Sequence, residues 1–439
     1  MWYKQDMMKF KRMNTVKPLP MRLVQYLMVV CFMLLPWSAT AVNQSKLTGQ
    51  LFSSTSGKDL VEGLLVKSLM QIAEGNTKQA MLTVNELIRT TPNFKLAHLI
   101  RGDLLSAQSR ALNTFGNLPP SSSGTDSEEV EGLREEARTR INHYFSADNH
   151  NMVPDITFKM DANQKHLILI DTVKSRLYLY EKSNNGLQPV ADYYVSIGKN
   201  GADKNVEGDK RTPVGLYFSN KKITSPLADL YGDGAYPLNY PNELDTHNNK
   251  TGYGIWLHGT PQDTYSRPPR ASDGCVVLSN PDLGKLQPVL KAGGVPVIIS
   301  DTVKWIDSSR VEEKAKELKA LNNALEGWRS DWVSQNTNQY LNNYSKNFFY
   351  NKGKLPEWTA HKRRVLSGKP KLTVKVSNVS MFSYPTHSHT KGKTSVGDKI
   401  IVVNFDQYYQ SPTLKNTMRK RQYWKNENNQ WKIIYEGAA

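Results

Sequence analysis

Cys275 is one of only two cysteines in a chain of 439 residues. It lies in the run Ala271-Ser272-Asp273-Gly274-Cys275-Val276-Val277-Leu278. The other, Cys31, falls in a segment that reads as a removable export signal, so the mature chain would carry a single thiol. A lone thiol has no partner for an intramolecular disulfide, which leaves its reactivity as the reason to keep it. His258 stands 17 positions upstream, in Ile255-Trp256-Leu257-His258-Gly259-Thr260. Thiol catalysis needs a thiolate, a base that accepts and returns its proton, and donors for an oxyanion. Cys275 and His258 supply the first two if the strand ending at His258 lies beside the Cys275 turn. Gly274 permits a tight turn, and the amides of Gly274, Cys275 and Val276 are candidate oxyanion donors. The imidazole also needs an acceptor for its second ring nitrogen. No carboxylate is close in sequence, so the Gly259 carbonyl is the nearest candidate. On spacing alone, a buried and inert cysteine remains the alternative.

Those groups need a frame of short strands, and the pattern changes to strands at Lys165. His166–Asp171 and Arg176–Tyr180 alternate or run apolar across a turn, and Val190–Ile197 is a third strand. Gly254–His258 and Val295–Ile299 follow, with a helix over Leu283–Leu290 after Asn280-Pro281. The β-rich unit is expected over 161–302. Before it, residues 57–112 read as helices joined at Gly75-Asn76 and Pro92, in an arrangement that resembles a tetratricopeptide unit. Such helices either pack on a neighbour or offer a groove to a protein partner. Residues 113–129, with Pro119-Pro120-Ser121-Ser122-Ser123-Gly124, read as a linker, and 130–160 as a helical connector. After the β-rich unit comes a connecting helix over 303–316. A domain over 317–437 follows, with helices first and then long antiparallel strands ending in a hairpin around Asn426–Asn429. The fold class expected is therefore mixed and multidomain. It combines an N-terminal α-helical repeat-like segment, a central β-rich domain and a C-terminal α+β domain with a curved antiparallel sheet.

Residues 1–41 carry a basic leader, an apolar stretch of 13 residues from Leu23 to Leu35, Pro36 and Ala39-Thr40-Ala41. That order is a secretory signal peptide. The stretch is shorter than the ~20 residues of a comfortable membrane span, although an uncleaved anchor is the alternative. The chain is expected outside the cytoplasmic membrane, in the periplasm. It has 57 Lys+Arg against 40 Asp+Glu, a net +17; residues 1–41 hold six basic and one acidic side chain, so +12 stays with the mature chain. Such a balance favours anionic partners, and the exported location argues against nucleic acid. His387 and His389 have no third ligand nearby, so no metal and no cofactor are expected. The basic runs Lys362-Arg363-Arg364 and Arg419-Lys420-Arg421 are expected to be solvated faces.

His258-Gly259-Thr260 followed by Ser272-Asp273-Gly274-Cys275-Val276 resembles the signature of the L,D-transpeptidase catalytic (YkuD) family, His-Gly-x and then Ser-His-Gly-Cys. Thr212-Pro213-Val214-Gly215 is similar to the family's Thr-Pro-x-Gly turn. Tyr231-Gly232-Asp233-Gly234-Ala235-Tyr236-Pro237-Leu238-Asn239-Tyr240-Pro241 is similar to the Gly-Ala-Phe-Pro-Leu-Asn-Tyr-Pro stretch of one Gram-negative branch. The resemblance spans about 165–301. It implies a β-sandwich-like catalytic domain acting on peptidoglycan stem peptides, with Cys275 as nucleophile and His258 as base. Ser272, Asp273 and Gly274 then form the turn around the nucleophile, and Tyr236 is a candidate substrate contact.

Two positions depart from the pattern. The family's histidine before Gly-Cys is Asp273 here. It would raise the thiol pKa if it pointed inward, could instead orient His258 or bind a substrate amine, or could face outward. The arginine that many members place two residues after the cysteine is Val277. Carboxylate recognition must then come from elsewhere, with Arg211, Arg267, Arg270 and Lys210 as candidates. The C-terminal region resembles a nuclear transport factor 2-like domain. The order of the two domains resembles that of L,D-carboxypeptidases and transpeptidases that set cell shape in curved and helical bacteria. The resemblance implies 3–3 crosslinking by an amine acceptor, tetrapeptide trimming by water, or exchange with a free D-amino acid. The C-terminal domain would bind glycan or peptide, or serve as a packing or homodimerisation module. With Asp273 and Val277 in place, a wall-binding scaffold with a disabled site is the reading from another class.

Overall fold

The computed structural model describes residues 60–118, 124–146, 152–184, 186–307, 311–366, 372–385 and 399–439. The export signal, Cys31 and the His387/His389 pair lie outside the described residues.

Helices α1 (Leu60–Ala73), α2 (Thr77–Thr90) and α3 (Lys95–Ser106) open the described chain. Leu64 and Leu65, Ala80, Val84 and Leu87, and Leu96, Ala97 and Ile100 recur at helical spacing and bury one shared core. Helix α4 (Gly124–Ser146) adds Leu133 and Ala137 to it. The expected linker over 113–129 therefore ends early. Its acidic cluster is helical, with Asp126 in the first turn, where the helix dipole favours negative charge. The expected helical connector over 130–160 is helical only to Ser146. Strands β1 (Met152–Pro154) and β2 (Thr157–Lys159) follow it. The expected connecting helix over 303–316 likewise opens with a strand, β13 (Trp305–Asp307), antiparallel to β1 with Val153 opposite Ile306. β-Branched residues facing each other favour that pairing, and Pro154 lacks the amide that a helix interior would need.

The central unit comprises β3 (His166–Asp171), β4 (Arg176–Ser183), β5 (Gly186–Tyr194), β6 (Ile197–Gly198), β7 (Gly215–Phe218) and β8 (Ala235–Pro237). It continues with α5 (Glu243–His247), β9 (Trp256–His258), β10 (Arg270–Ser272), β11 (Val276–Val277), α6 (Asn280–Leu290) and β12 (Pro296–Ser300). One sheet runs β5-β4-β3-β12-β7, a second runs β11-β9-β8, and β10 pairs with β6. Strands β3 and β12 are apolar without interruption because both of their faces are covered. Ile168, Ile170, Val297 and Ile299 face a core shared with Leu257, Val276, Leu283 and Leu286. Leu167, Leu169 and Ile298 face the other way, against Phe382, Val402, Tyr423 and Tyr435 of the C-terminal sheet.

The C-terminal domain holds α7 (Val311–Ser334), α8 (Thr337–Asn342), β14 (Tyr344–Tyr350), β15 (Gly353–Lys354) and α9 (Leu355–Leu366). Strands β16 (Thr373–Ser383), β17 (Ile400–Gln410), β18 (Lys415–Glu427) and β19 (Gln430–Ala438) complete it. The sheet order is β15-β14-β19-β18-β17-β16-β2, so its last strand comes from the segment ahead of the central unit. Most pairs are antiparallel, but β14 runs parallel to β19. Asn428 and Asn429, with φ of +51° and +63°, make the two-residue turn between β18 and β19.

The basic runs are not solvated faces throughout. Lys362 is buried against the rings of Trp332, Tyr340 and Trp358, and burial pulls its pKa down to about 8. Lys420 pairs with the buried Glu436, and Arg421 with Glu243 of the central unit at 3.0 Å. Arg363 and Arg364 do stay exposed.

Candidate active site

Strands β9 and β11 run parallel, with Leu257 opposite Val276 and His258 opposite Val277. The register sets Cys275, the residue just before β11, two positions from the partner of His258. The Leu278 amide donates to the His258 carbonyl at 2.9 Å and extends the pairing past the strand end. Pairing of these two short strands thus sets the segments of Cys275 and His258 side by side.

The turn before Cys275 is built by its own residues. The Ser272 hydroxyl donates to the Cys275 carbonyl at 2.6 Å, and the Gly274 amide donates to Ser272 Oγ at 3.1 Å. Gly274 has φ +129°, and a Cβ there would stand 2.8 Å from the Arg211 carbonyl oxygen. Thr212 of the Thr-Pro-Val-Gly turn fixes the far side. Its Oγ1 donates to the Gly274 carbonyl at 2.9 Å and accepts from the Gly198 amide at 2.9 Å. These bonds narrow the oxyanion donors expected from sequence. The Gly274 amide is committed to Ser272, whereas among the described residues the Cys275 amide has no protein acceptor.

His258 is buried, and its Nδ1 lies 2.7 Å from the Gly259 carbonyl oxygen. A carbonyl only accepts, so Nδ1 carries the proton and Nε2 keeps the lone pair. Burial pulls the imidazole pKa down to about 4; the Gly259 bond opposes this and the charge of Arg267 adds to it. Burial pushes the Cys275 thiol up to about 11, against the backbone of Trp256; Asp273 raises it further while Arg267 and Lys204 pull it down. The resting pair is therefore a neutral thiol and a neutral imidazole. In that state the thiol donates to the Gly254 carbonyl at 3.2 Å.

The remaining candidates separate cleanly. Arg267 is half-buried, and its charge acts on both Cys275 and His258. Asp273 is exposed, with Lys199 at 3.5 Å, so it faces outward and does not orient the imidazole. Arg211 is exposed and donates to the Ala202 carbonyl at 2.9 Å. Arg270 is exposed, and its place is the β10 register opposite Ile197. Lys210 is exposed, with φ +54° at the turn. Tyr236 is not brought to the thiol. It pairs with Leu257 and is buried in the central core, whereas its neighbour Ala235 is the residue aligned with His258. An aromatic ring in a three-residue strand between two sheets fills the core first.

Two residues were given no role at the site by the sequence reading. Tyr231 stands edge-on to the His258 ring, with centroids 5.1 Å apart. Asn280 ties down the strand that ends in His258. Its Oδ1 accepts from Thr260 N at 3.2 Å and Asp233 N at 3.1 Å, and its Nδ2 donates to the Thr260 carbonyl at 2.9 Å. Asn280-Pro281 signals only a helix start in sequence; a side chain reaching back 20 residues leaves no local trace.

Residues 165–299 match the family model of the L,D-transpeptidase catalytic domain, YkuD. The chain carries an L,D-transpeptidase catalytic domain. Residues 320–437 match the Cds6 C-terminal NTF2-like domain. Bd1075 of Bdellovibrio bacteriovorus is similar at 28% identity and a TM-score of 0.54, over 66% of this chain and 98% of that one. The helical cell shape determining protein Pgp2 of Campylobacter jejuni shares the fold at 24% identity and a TM-score of 0.54, over 66% and 96%. A point mutant of Pgp2 gives 23% and 0.55, over 70% and 98%. None of the curated proteins compared with the chain matches it. The catalytic domain thus coincides with the two-sheet unit that carries Cys275 and His258.

Proposed function

We propose that the chain is a peptidoglycan acyltransferase with Cys275 as nucleophile. His258 Nε2 takes the thiol proton as Sγ attacks the carbonyl of the L-centre of the third stem residue, typically meso-diaminopimelate. The developing oxyanion meets the Cys275 amide. Collapse breaks the bond to D-Ala at position four, whose nitrogen leaves with the proton returned by His258. The thioester is then resolved by the side-chain amine of a second stem, giving a 3–3 crosslink. The observation that supports this reading is the β9–β11 register, which aligns the segments of His258 and Cys275, with the His258 Nδ1 committed to Gly259.

A second reading has water resolve the thioester and the enzyme trim tetrapeptides to tripeptides. The C-terminal NTF2-like domain favours it, through the resemblance to cell-shape L,D-carboxypeptidases, and Pgp2 shares the fold. Both readings place the chain outside the cytoplasmic membrane, in agreement with an export signal over 1–41. Among the described residues, no helix is long and apolar enough to cross a membrane.

Purified protein is incubated with tetrapeptide muropeptides and the products are separated. Crosslinked dimers support transpeptidation, and tripeptide monomers as the sole product support trimming. An unchanged substrate, with no acylation of Cys275 by a carbapenem, refutes both and leaves the wall-binding scaffold.

A further inference from the structure

Residues 261–269, Pro-Gln-Asp-Thr-Tyr-Ser-Arg-Pro-Pro, join the strand of His258 to the strand that leads into Cys275. The segment has no strand or helix of its own, and its three prolines remove three backbone donors. Its position must therefore be set by neighbours. One set belongs to the central unit. Tyr194 OH donates to the Arg267 carbonyl at 2.9 Å, Ser196 Oγ to the Pro268 carbonyl at 2.6 Å, and the Ile197 amide to the Pro269 carbonyl at 2.8 Å.

The other set comes from the N-terminal helices. The Tyr265 amide donates to the Asn93 carbonyl at 3.1 Å, and Asn93 Nδ2 donates to the Gln262 carbonyl at 3.0 Å. The Tyr265 ring is buried in the helical core, 4.9 Å from Phe94. Ser266 Oγ donates to Glu136 Oε1 of α4 at 2.7 Å. One turn away on α4, a Cβ at Gly132 would stand 2.8 Å from Pro268. Glu136 is fully buried and held by Arg140 at 2.9 Å, and the Arg140 guanidinium lies 3.8 Å over the Tyr194 ring. Helix α4 therefore grips the loop on both sides of Arg267, directly at Ser266 and through Tyr194 at the Arg267 carbonyl.

We propose that the N-terminal helices are part of the catalytic apparatus: Glu136 and Ser266 are positioning residues that hold Arg267 at the Leu230–Tyr231 turn flanking His258, where its guanidinium meets the substrate's carboxylate. This rests on the proposed acyl transfer at Cys275. The Arg267 guanidinium donates to the Leu230 carbonyl at 3.4 Å, next to Tyr231, whose ring stands edge-on to His258, and its charge acts on both His258 and Cys275. Besides Arg267, the charged groups acting on the thiol are Asp273 on its own turn and Lys204 from the loop before β7.

The test reads the thiol without substrate. The full chain is alkylated with iodoacetamide from pH 7 to 10, in the wild type and in Arg267→Ala, Ser266→Ala and the double variant. Removing the cation disfavours the thiolate, so Arg267→Ala slows alkylation about tenfold and Ser266→Ala about threefold. In the Arg267→Ala background, Ser266→Ala has no further effect, because it acts only through that side chain. Two results overturn the proposal: an unchanged rate in Ser266→Ala with an unchanged Tm, or equal slowing with and without Arg267. A thiol that follows the expected pattern but forms no thioester with tetrapeptide instead overturns the acyl-transfer reading and leaves the positioning intact. Where turnover is seen, Ser266→Ala raises KM for the tetrapeptide more than it lowers kcat.

Discussion

Gly259→Ala attacks the site where backbone and side chain are most tightly interlocked. A Cβ at Gly259 would stand 2.0 Å from Asn280 Oδ1, far inside van der Waals contact. Asn280 has to leave, and with it go its three hydrogen bonds, to Asp233 N, Thr260 N and the Thr260 carbonyl. At about 1 kcal/mol for each bond the loss is roughly 3 kcal/mol. For a domain of this size that lowers Tm by about 6–12 °C. The same displacement loosens the Gly259 carbonyl that fixes His258 Nδ1, so turnover falls by about 10²-fold, the scale of a 1 Å misplacement. The assay is a double-mutant cycle with Asn280→Ala, read by thermal unfolding and by product formation from tetrapeptide muropeptides. Asn280→Ala alone loses the same bonds but leaves room for the new methyl group. Gly259→Ala in that background should then cost under about 1 kcal/mol, a coupling of about 2 kcal/mol. Equal costs in the two backgrounds would falsify the steric argument.

His258 resists protonation down to about pH 4 when folded but takes a proton near 6.5 when unfolded. The unfolded state binds more protons across that window, so stability falls as pH drops from 6.5 to 4, by at most roughly 3 kcal/mol. His258→Gln should flatten the Tm-versus-pH curve there, and a curve that keeps its slope would remove His258 as the cause. Thr212→Val strips the partners from the Gly198 amide and the Gly274 carbonyl, both bonded at 2.9 Å. The expected cost is about 2–4 kcal/mol with an altered alkylation rate at Cys275, while Thr212→Ser stays near the wild type in both readouts.

Cys275 and His258 were legible as candidates because each sits in a short motif whose chemistry needs those residue types. Their pairing was not, since two- and three-residue strands such as β11 and β9 carry no periodicity of their own. Long strands were easier: His166–Asp171 and Pro296–Ser300 are apolar on both faces, and that pattern is unmistakable in sequence. The central position of Tyr236 and the burial of Lys362 and Arg421 went the other way. Their side chains are buried or paired by elements distant in sequence, and a basic run looks the same whether or not an acid from another domain meets it. The prolines and polar residues of 261–269 read as an ordinary loop for the same reason. The helices that hold it lie more than 100 residues earlier.

The edge strand of the C-terminal sheet has a further consequence. β2 pairs with β16 through Lys159 opposite Met381 and Thr157 opposite Phe382. The sheet is thus finished by residues translated long before the rest of it. A fragment starting near 317 would leave the free rim of β16 uncovered, and an uncovered rim recruits other chains. The last domain is accordingly best produced with residues 152–160 attached, so that its rim is closed by its own chain.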